Sequence, residues 1–349
     1  MKKLTLLIVT VFAGVTLFAQ DPYNNEAYVN QTGENGQAYV TQDGTVNYAL
    51  VNQYGEEYVD GLPNITIVDQ LGDGNYVTVD VSGSGNYANI DITGGFNGAT
   101  DPLNPTGGPA SEQMGENNVL YVTVVGDMND GSTVQTGVSN DMMLYINGNE
   151  NRYELIQDGM NNEDDVNIMG DGNHVLTDQY SPNMGNKALI RIRGNYNGWL
   201  GDPVEVQQNG NYNEGEIIQG DEDAEVDFNN ACIIQVGDDN YAMISQNAIN
   251  VGSTEDNYAR IHTYGDNNEL YVEQKEWNNT AWVKVNNGDN NYGTSYTDGY
   301  MNDVDVNITN AHNNEFMVLQ HESGQYNEAE ININNGDFNF AGIDQQGMD

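Results

Sequence analysis

The chain has 349 residues, with 53 Asp and Glu against nine Lys and Arg, and a formal charge of −44. That charge repels nucleic acid and anionic membrane surfaces, so neither is expected as a partner, while cations and basic surfaces remain candidates. Its single cysteine, Cys232, excludes a disulfide framework and a cysteine-built zinc cluster.

Residues 1–19 read as a signal peptide: Lys2-Lys3, an apolar run from Leu4 to Phe18, and a small-residue cleavage site at Ala19. No later segment could cross a bilayer as a helix, so the mature chain is expected to be secreted without a membrane span. The 22 Tyr and the regular placement of Val, Ile and Ala argue for ordered strands over a disordered acidic chain.

Residues 20–349 read as one repeat domain with an 11-residue unit. Gln31, Gln42 and Gln53 keep that spacing, as do Gly33, Gly44 and Gly55, Ala27, Ala38 and Ala49, and Val29, Val40 and Val51. The Asn column runs through Asn64, Asn75, Asn86 and Asn97, and returns later at Asn229 and Asn240. Within Asn25-Glu26-Ala27-Tyr28-Val29-Asn30-Gln31 the recurring residues alternate with variable ones, which is the period of a strand with one uniform face.

Each strand is followed by a turn marked by Gly and often Asp, as at Gly72-Asp73, Gly126-Asp127, Gly170-Asp171, Gly237-Asp238 and Gly265-Asp266. Glycine supplies positive φ there, and Asp or Asn bonds local backbone. Proline cannot donate to a ladder, and Pro63, Pro102, Pro105, Pro109, Pro182 and Pro203 fall where the spacing breaks. Loops are therefore expected near 56–63, 98–112, 180–185 and 200–206.

Two units, about 22 residues, make a rung of two facing strands. Stacked rungs give an all-β architecture, a β-solenoid of strand-turn-strand rungs spaced by about 4.8 Å. Amides of the Asn and Gln columns, Asn75, Asn86 and Gln246 among them, can bond like residues one rung away or cap turn backbone. Tyr48, Tyr76, Tyr87, Tyr241 and Tyr258 fall on the outward positions, as do Tyr28, Tyr39, Tyr121 and Tyr271, where aromatic pairs between rungs are expected.

No catalytic or cofactor-binding residue emerges, and an enzyme is not expected. The acids are spread evenly rather than gathered at one break in the repeat, and no phosphate-binding glycine loop follows a strand and opens a helix. His174, His262, His312 and His321 read as turn or solvent-facing residues, and Cys232 as an outward, incidental thiol. Calcium is the one cofactor with a rationale: the turn carboxylates Asp73, Asp127, Asp171 and Asp266 would stack at one edge and offer oxygen ligands, although the calcium-binding β-roll motif is absent.

The segments Gln42-Asp43-Gly44-Thr45-Val46-Asn47-Tyr48-Ala49, closed by Gln53, and Gln235-Val236-Gly237-Asp238-Asp239-Asn240-Tyr241-Ala242, closed by Gln246, resemble the curlin repeat of curli fibre subunits. Gln31 to Gln42 resembles it too, with Gly36 in the Asn place, whereas Val81, Ile92, Ile146, Ile168 and Ile308 stand where the repeat has Gln. The resemblance implies export by a dedicated outer-membrane pore of a diderm bacterium and polymerisation, with a nucleator or related subunits, into an extracellular amyloid of the biofilm matrix. It implies polar ladders at Gln31, Gln42, Gln53, Asn47, Gln235 and Asn240. The alternative expectation is a monomeric secreted adhesin or cation-binding module.

Overall fold

The computed structural model describes residues 14–19, 25–33, 36–55, 62–98, 110–198, 202–220, 226–247, 256–320 and 326–345. The first part of the expected leader, the residues just after its cleavage site, His321, most of two expected loops (56–61 and 99–109) and the start of a third (200–201) lie outside them. The described residues contain strands and no helix, and none of their segments forms a helix long and apolar enough to cross a membrane. Two compact units, Met1–Asp165 and Val166–Asp349, are described in turn.

In the first unit the strands are β1 (Gly14–Ala19), β2 (Glu26–Thr32), β3 (Gln37–Asp43), β4 (Tyr48–Gly55), β5 (Ile65–Leu71), β6 (Tyr76–Ser84), β7 (Tyr87–Thr93), β8 (Ala110–Glu116), β9 (Val119–Val125), β10 (Asp130–Val138), β11 (Asp141–Asn147) and β12 (Arg152–Met160). Strand β13 (Glu163–Met169) runs across the division. Successive strands go to opposite sheets: the odd ones pair in the order β1-β3-β5-β7-β9-β11 and the even ones β2-β4-β6-β8-β10-β12.

Pairing is parallel and places like on like. Ala27 lies opposite Ala49, Val29 opposite Val51, Asn30 opposite Asn52 and Gln31 opposite Gln53, 22 residues apart as two units per rung require. Where the chain carries an insertion the register recovers, so that Thr78 meets Ala110 and Val81 meets Gln113. Strand β8 therefore starts inside the segment 98–112 expected to loop out. Strand β1 lies within the expected leader and pairs with β3, from Gly14 opposite Gln37 to Ala19 opposite Gln42.

The second unit repeats the plan with β14 (His174–Ser181), β15 (Lys187–Arg193), β16 (Val204–Asn209), β17 (Glu214–Gln219), β18 (Asn230–Val236), β19 (Tyr241–Asn247), β20 (Tyr258–Tyr264), β21 (Glu269–Lys275), β22 (Thr280–Asn286), β23 (Tyr292–Asp298), β24 (Asp303–Thr309), β25 (Glu315–Gln320), β26 (Glu328–Asn334) and β27 (Phe340–Gln345). Here too even strands pair with even and odd with odd. Two proline-bearing breaks fall partly in strands, since β14 reaches Ser181 and β16 begins at Val204.

Burial alternates along most of the strands, as in β4 and β19, where every second residue is fully covered. The core of each unit is the set of inward columns, with Ala49, Val51 and Val79 in the first and Ala242, Ile244 and Ile261 in the second all solvent-inaccessible. These strands have one apolar face and so cannot be stable singly; stacking removes that face from water at roughly 25 cal/mol per Å². Larger side chains also occupy the Ala column, Leu120, Met142 and Leu270 among them. Tyr153 and Phe316 point inward and are buried, each beside a glycine of the neighbouring rung, Gly131 and Gly293.

Candidate functional site: amide ladders, turn columns and an outer cationic face

The expected ladder residues meet as stacked amides. Gln31 Nε2 donates to Gln53 Oε1 at 2.6 Å, and Gln42 Nε2 donates to Gln70 Oε1 at 2.8 Å. Gln235 accepts from Gln208 at 2.8 Å, and Gln246 accepts from Gln219 and donates to Gln274, both at 2.8 Å. Gln42, Gln53, Gln235 and Gln246 also reach backbone across the interior, for instance Gln42 to the Glu26 carbonyl at 3.1 Å and Gln235 to the Glu214 carbonyl at 3.0 Å. Thus the Gln column closes the space between the sheets at the end of each strand. Where it becomes aliphatic, at Val81, Ile92, Ile146, Ile168 and Ile308, the side chains remain 0–2 % exposed and apolar contact fills the same space.

The Asn column ties rungs at the turns. Asn47 Nδ2 donates to the Gly72 carbonyl at 2.7 Å while its Oδ1 accepts the Asn75 backbone N–H at 2.9 Å. Asn75 repeats this with Gly94 and Asn97, Asn86 with Gly115 and Asn118, and Asn240 with Gly265 and Asn268. One side chain thereby satisfies two groups of buried turn backbone that nothing else would reach.

The turn glycines Gly33, Gly44, Gly72, Gly170 and Gly237 have φ between 98° and 133°. A Cβ on any of them would collide with the carbonyl of the next rung, for instance Gly44 with Gly72 O and Gly33 with Gly55 O. Both the positive φ and the close approach require glycine.

The calcium candidates are separated by the fold. Asp73 and Asp127 sit on turns that follow odd strands, and so does Asp171, whereas Asp266 follows the even strand β20. The expectation of a carboxylate column at one edge is corrected accordingly: two edges share these residues. The carboxylates of Asp73, Asp127 and Asp266 brace backbone. Asp73 Oδ1 accepts from both the N–H and the hydroxyl of Thr45 at 2.7 Å, which holds its carboxyl below the usual range. Asp127 Oδ1 takes the Gly95 N–H at 2.6 Å. On the opposite edge of the second unit the Asn211, Asp238 and Asp266 N–H groups donate in turn to Asp238, Asp266 and Asp289, at 2.7, 2.8 and 2.9 Å. His312 continues that column, its Nδ1 accepting the Asp289 N–H at 3.0 Å. Asp171 instead donates its N–H to Asn195 at 2.8 Å. Among the described residues no three His, Cys, Asp or Glu lie close enough together to hold a metal ion.

Outer faces carry the tyrosines where alternation puts them. Tyr48 stacks on Tyr76 with centroids 4.5 Å apart and planes within 6°, and Tyr241 meets Tyr271 at 5.3 Å. Cys232 also lies on an outer column, but it is buried, flanked in register by Glu205 and Arg260. Burial, with the Glu205 carboxylate 3.6 Å away, pushes its thiol up to about 12, leaving it unreactive at neutral pH.

Sequence reading missed the cluster around Cys232. Arg260, His262, Trp282 and Lys284 share the outer face of β20 and β22, with Arg260 opposite Trp282 and His262 opposite Lys284. Trp282 meets His262 edge-on at 6.2 Å. The signal available in sequence was a rise in cation and aromatic content at alternate positions of two units one rung apart.

In comparisons with known proteins, no family model matches the chain and no characterised sequence matches it, so every residue role given above rests on the geometry of this chain.

Proposed function

We propose that the chain is a secreted structural protein, a curlin-like subunit or accessory of an extracellular amyloid-like fibre of the biofilm matrix, which adds copies end to end by continuing the rung stack. The observation that carries this reading is the match between the first rung after the expected leader and the last described rung. Inward residues are Ala27, Val29 and Gln31 on β2, and Ala329, Ile331 and Ile333 on β26. They are Ala38, Val40 and Gln42 on β3, and Ala341, Ile343 and Gln345 on β27.

Setting β26 of one copy beside β2 of the next, and β27 beside β3, extends the Ala and aliphatic columns and brings Gln345 to Gln42. The β3 edge is paired with β1 while residues 14–19 are attached, and removal of the leader frees it.

Residues 20–349, purified and incubated, are expected to form filaments in electron micrographs with a cross-β reflection near 4.8 Å. Preformed filaments are expected to shorten the lag. A monomer that stays monodisperse at every concentration and salt level would instead favour a monomeric adhesin or cation-binding module.

A further inference from the structure

Nine Lys and Arg in a chain of charge −44 make any pair of cations on one face notable, and β20 and β22 of the second unit hold such a pair around an exposed ring. The Arg260 guanidinium carbon lies 5.6 Å from the Tyr258 ring centroid and 5.9 Å from that of Trp282. Trp282 is 42 % exposed, with Arg260 on one neighbouring rung and Asp305 on the other. Lys284 lies two residues along the same strand, opposite His262. Among the described residues Arg260 Nε and His262 Nε2, both shielded from solvent, have no hydrogen-bond partner.

We propose that Arg260, Trp282 and Lys284 form a binding site for a carboxylate-bearing polysaccharide. The apolar face of a pyranose ring lies on the Trp282 indole, and its carboxylate is held by the guanidinium, which offers a planar fork of donors, and by the ammonium. The outer face of a sheet has no walls, which suits an extended polymer lying along the rungs better than an enclosed small ligand. A second copy of this chain is the less favourable occupant. Two rigid acidic faces would bring Glu205, Asp303 and Asp305 against like charges, whereas a thin polymer presents only a few charges to the two cations at a time.

The site goes beyond the proposed fibre role, and binding can be read whether or not filaments form. Polygalacturonate is the probe and dextran the neutral control, with binding followed by tryptophan fluorescence and affinity electrophoresis on residues 20–349. Polygalacturonate is expected to retard the chain and change its fluorescence, and dextran to do neither. Trp282→Ala and the double variant Arg260→Gln/Lys284→Gln are each expected to weaken binding at least about tenfold, a difference near 1.4 kcal/mol. Arg152→Gln, a cation on the other unit, is expected to leave it unchanged. Circular dichroism checks that the variants remain folded, and Trp282→Phe, which keeps a ring, is expected to retain part of the affinity. The proposal is overturned if polygalacturonate does not bind, if the Trp282 and cation variants bind as the parent does, or if the patch variants abolish self-association in sedimentation without altering polymer binding.

Discussion

Gly293 lies opposite Phe316 in the inward Ala column, and a Cβ built on Gly293 would overlap the Phe316 ring. The glycine is not in the left-handed region, so the demand is for space alone. Gly293→Ala is expected to destabilise the chain by about 1–3 kcal/mol through overpacking. The double variant Gly293→Ala/Phe316→Ala restores an Ala-on-Ala step, so its cost should fall below the sum of the two single changes. Urea unfolding of the four proteins reads the coupling; strict additivity would mean that the two residues do not share the space.

The two amide columns should differ in how much they tolerate. Asn240→Ala removes the donor to the Gly265 carbonyl and the acceptor of the Asn268 N–H, leaving two buried backbone groups unpaired. About 2 kcal/mol or more is expected to be lost. Gln235→Val takes the acceptor from the Gln208 amide and the donor from the Glu214 carbonyl, but Gln208 keeps the Lys187 carbonyl and aliphatic side chains already fill this column at Val81 and Val285, so about 1 kcal/mol is expected, less than for Asn240→Ala. Equal costs in denaturant unfolding would refute the assignment of turn bracing to Asn and interior filling to Gln.

Most of the fold was legible because every rung asks the same thing of the same position. The Gly, Asn and Gln columns return at 11 residues, and their hydrogen bonds follow from that spacing. The inward Tyr153 and Phe316 were not legible from the period, since the glycines that make room for them lie a full rung away and matter only once β10 is known to pair with β12 and β23 with β25. The cover over Cys232 was hidden for a similar reason. Alternation correctly assigns it to an outer column, but the bulk of Glu205 and Arg260 on the flanking rungs decides whether it meets water. Which edge holds Asp266 depends on counting strands through insertions of unequal length, where the period slips.

His262 should make stability fall in mild acid. Burial, with Arg260 and Lys284 nearby, lowers its pKa to about 4 from an ordinary value near 6.5. Between those values the unfolded chain holds the proton and the folded chain does not. The contribution is therefore complete above about pH 6.5 and is lost progressively as pH drops toward 4. His262→Gln removes the titration, so the stability difference between parent and variant should shrink from pH 7 to pH 4. A difference that stays constant over that range would show that the imidazole is already charged in the folded chain.

Asp69 and Asp91 lie opposite each other on successive rungs of the odd sheet. Burial first, and the Asp69 charge second, raise the Asp91 carboxyl above its usual range. A carboxyl with a raised folded pKa binds its proton more tightly in the folded state, so stability increases as pH falls through that pKa and the penalty is fully present at neutral pH. Asp91→Asn should accordingly stabilise the chain at pH 7 by up to about 1 kcal/mol. The gain should vanish near pH 3, where the Asp91 carboxyl is protonated, and shrink in 1 M salt, where charges more than about 3 Å apart are screened. Thermal unfolding at both pH values and at low and high salt reads all three effects. Charged columns that oppose stacking within one chain oppose it equally between chains, so salt and acid should also shorten the lag of filament growth. Growth indifferent to ionic strength would remove electrostatic repulsion as the brake on assembly.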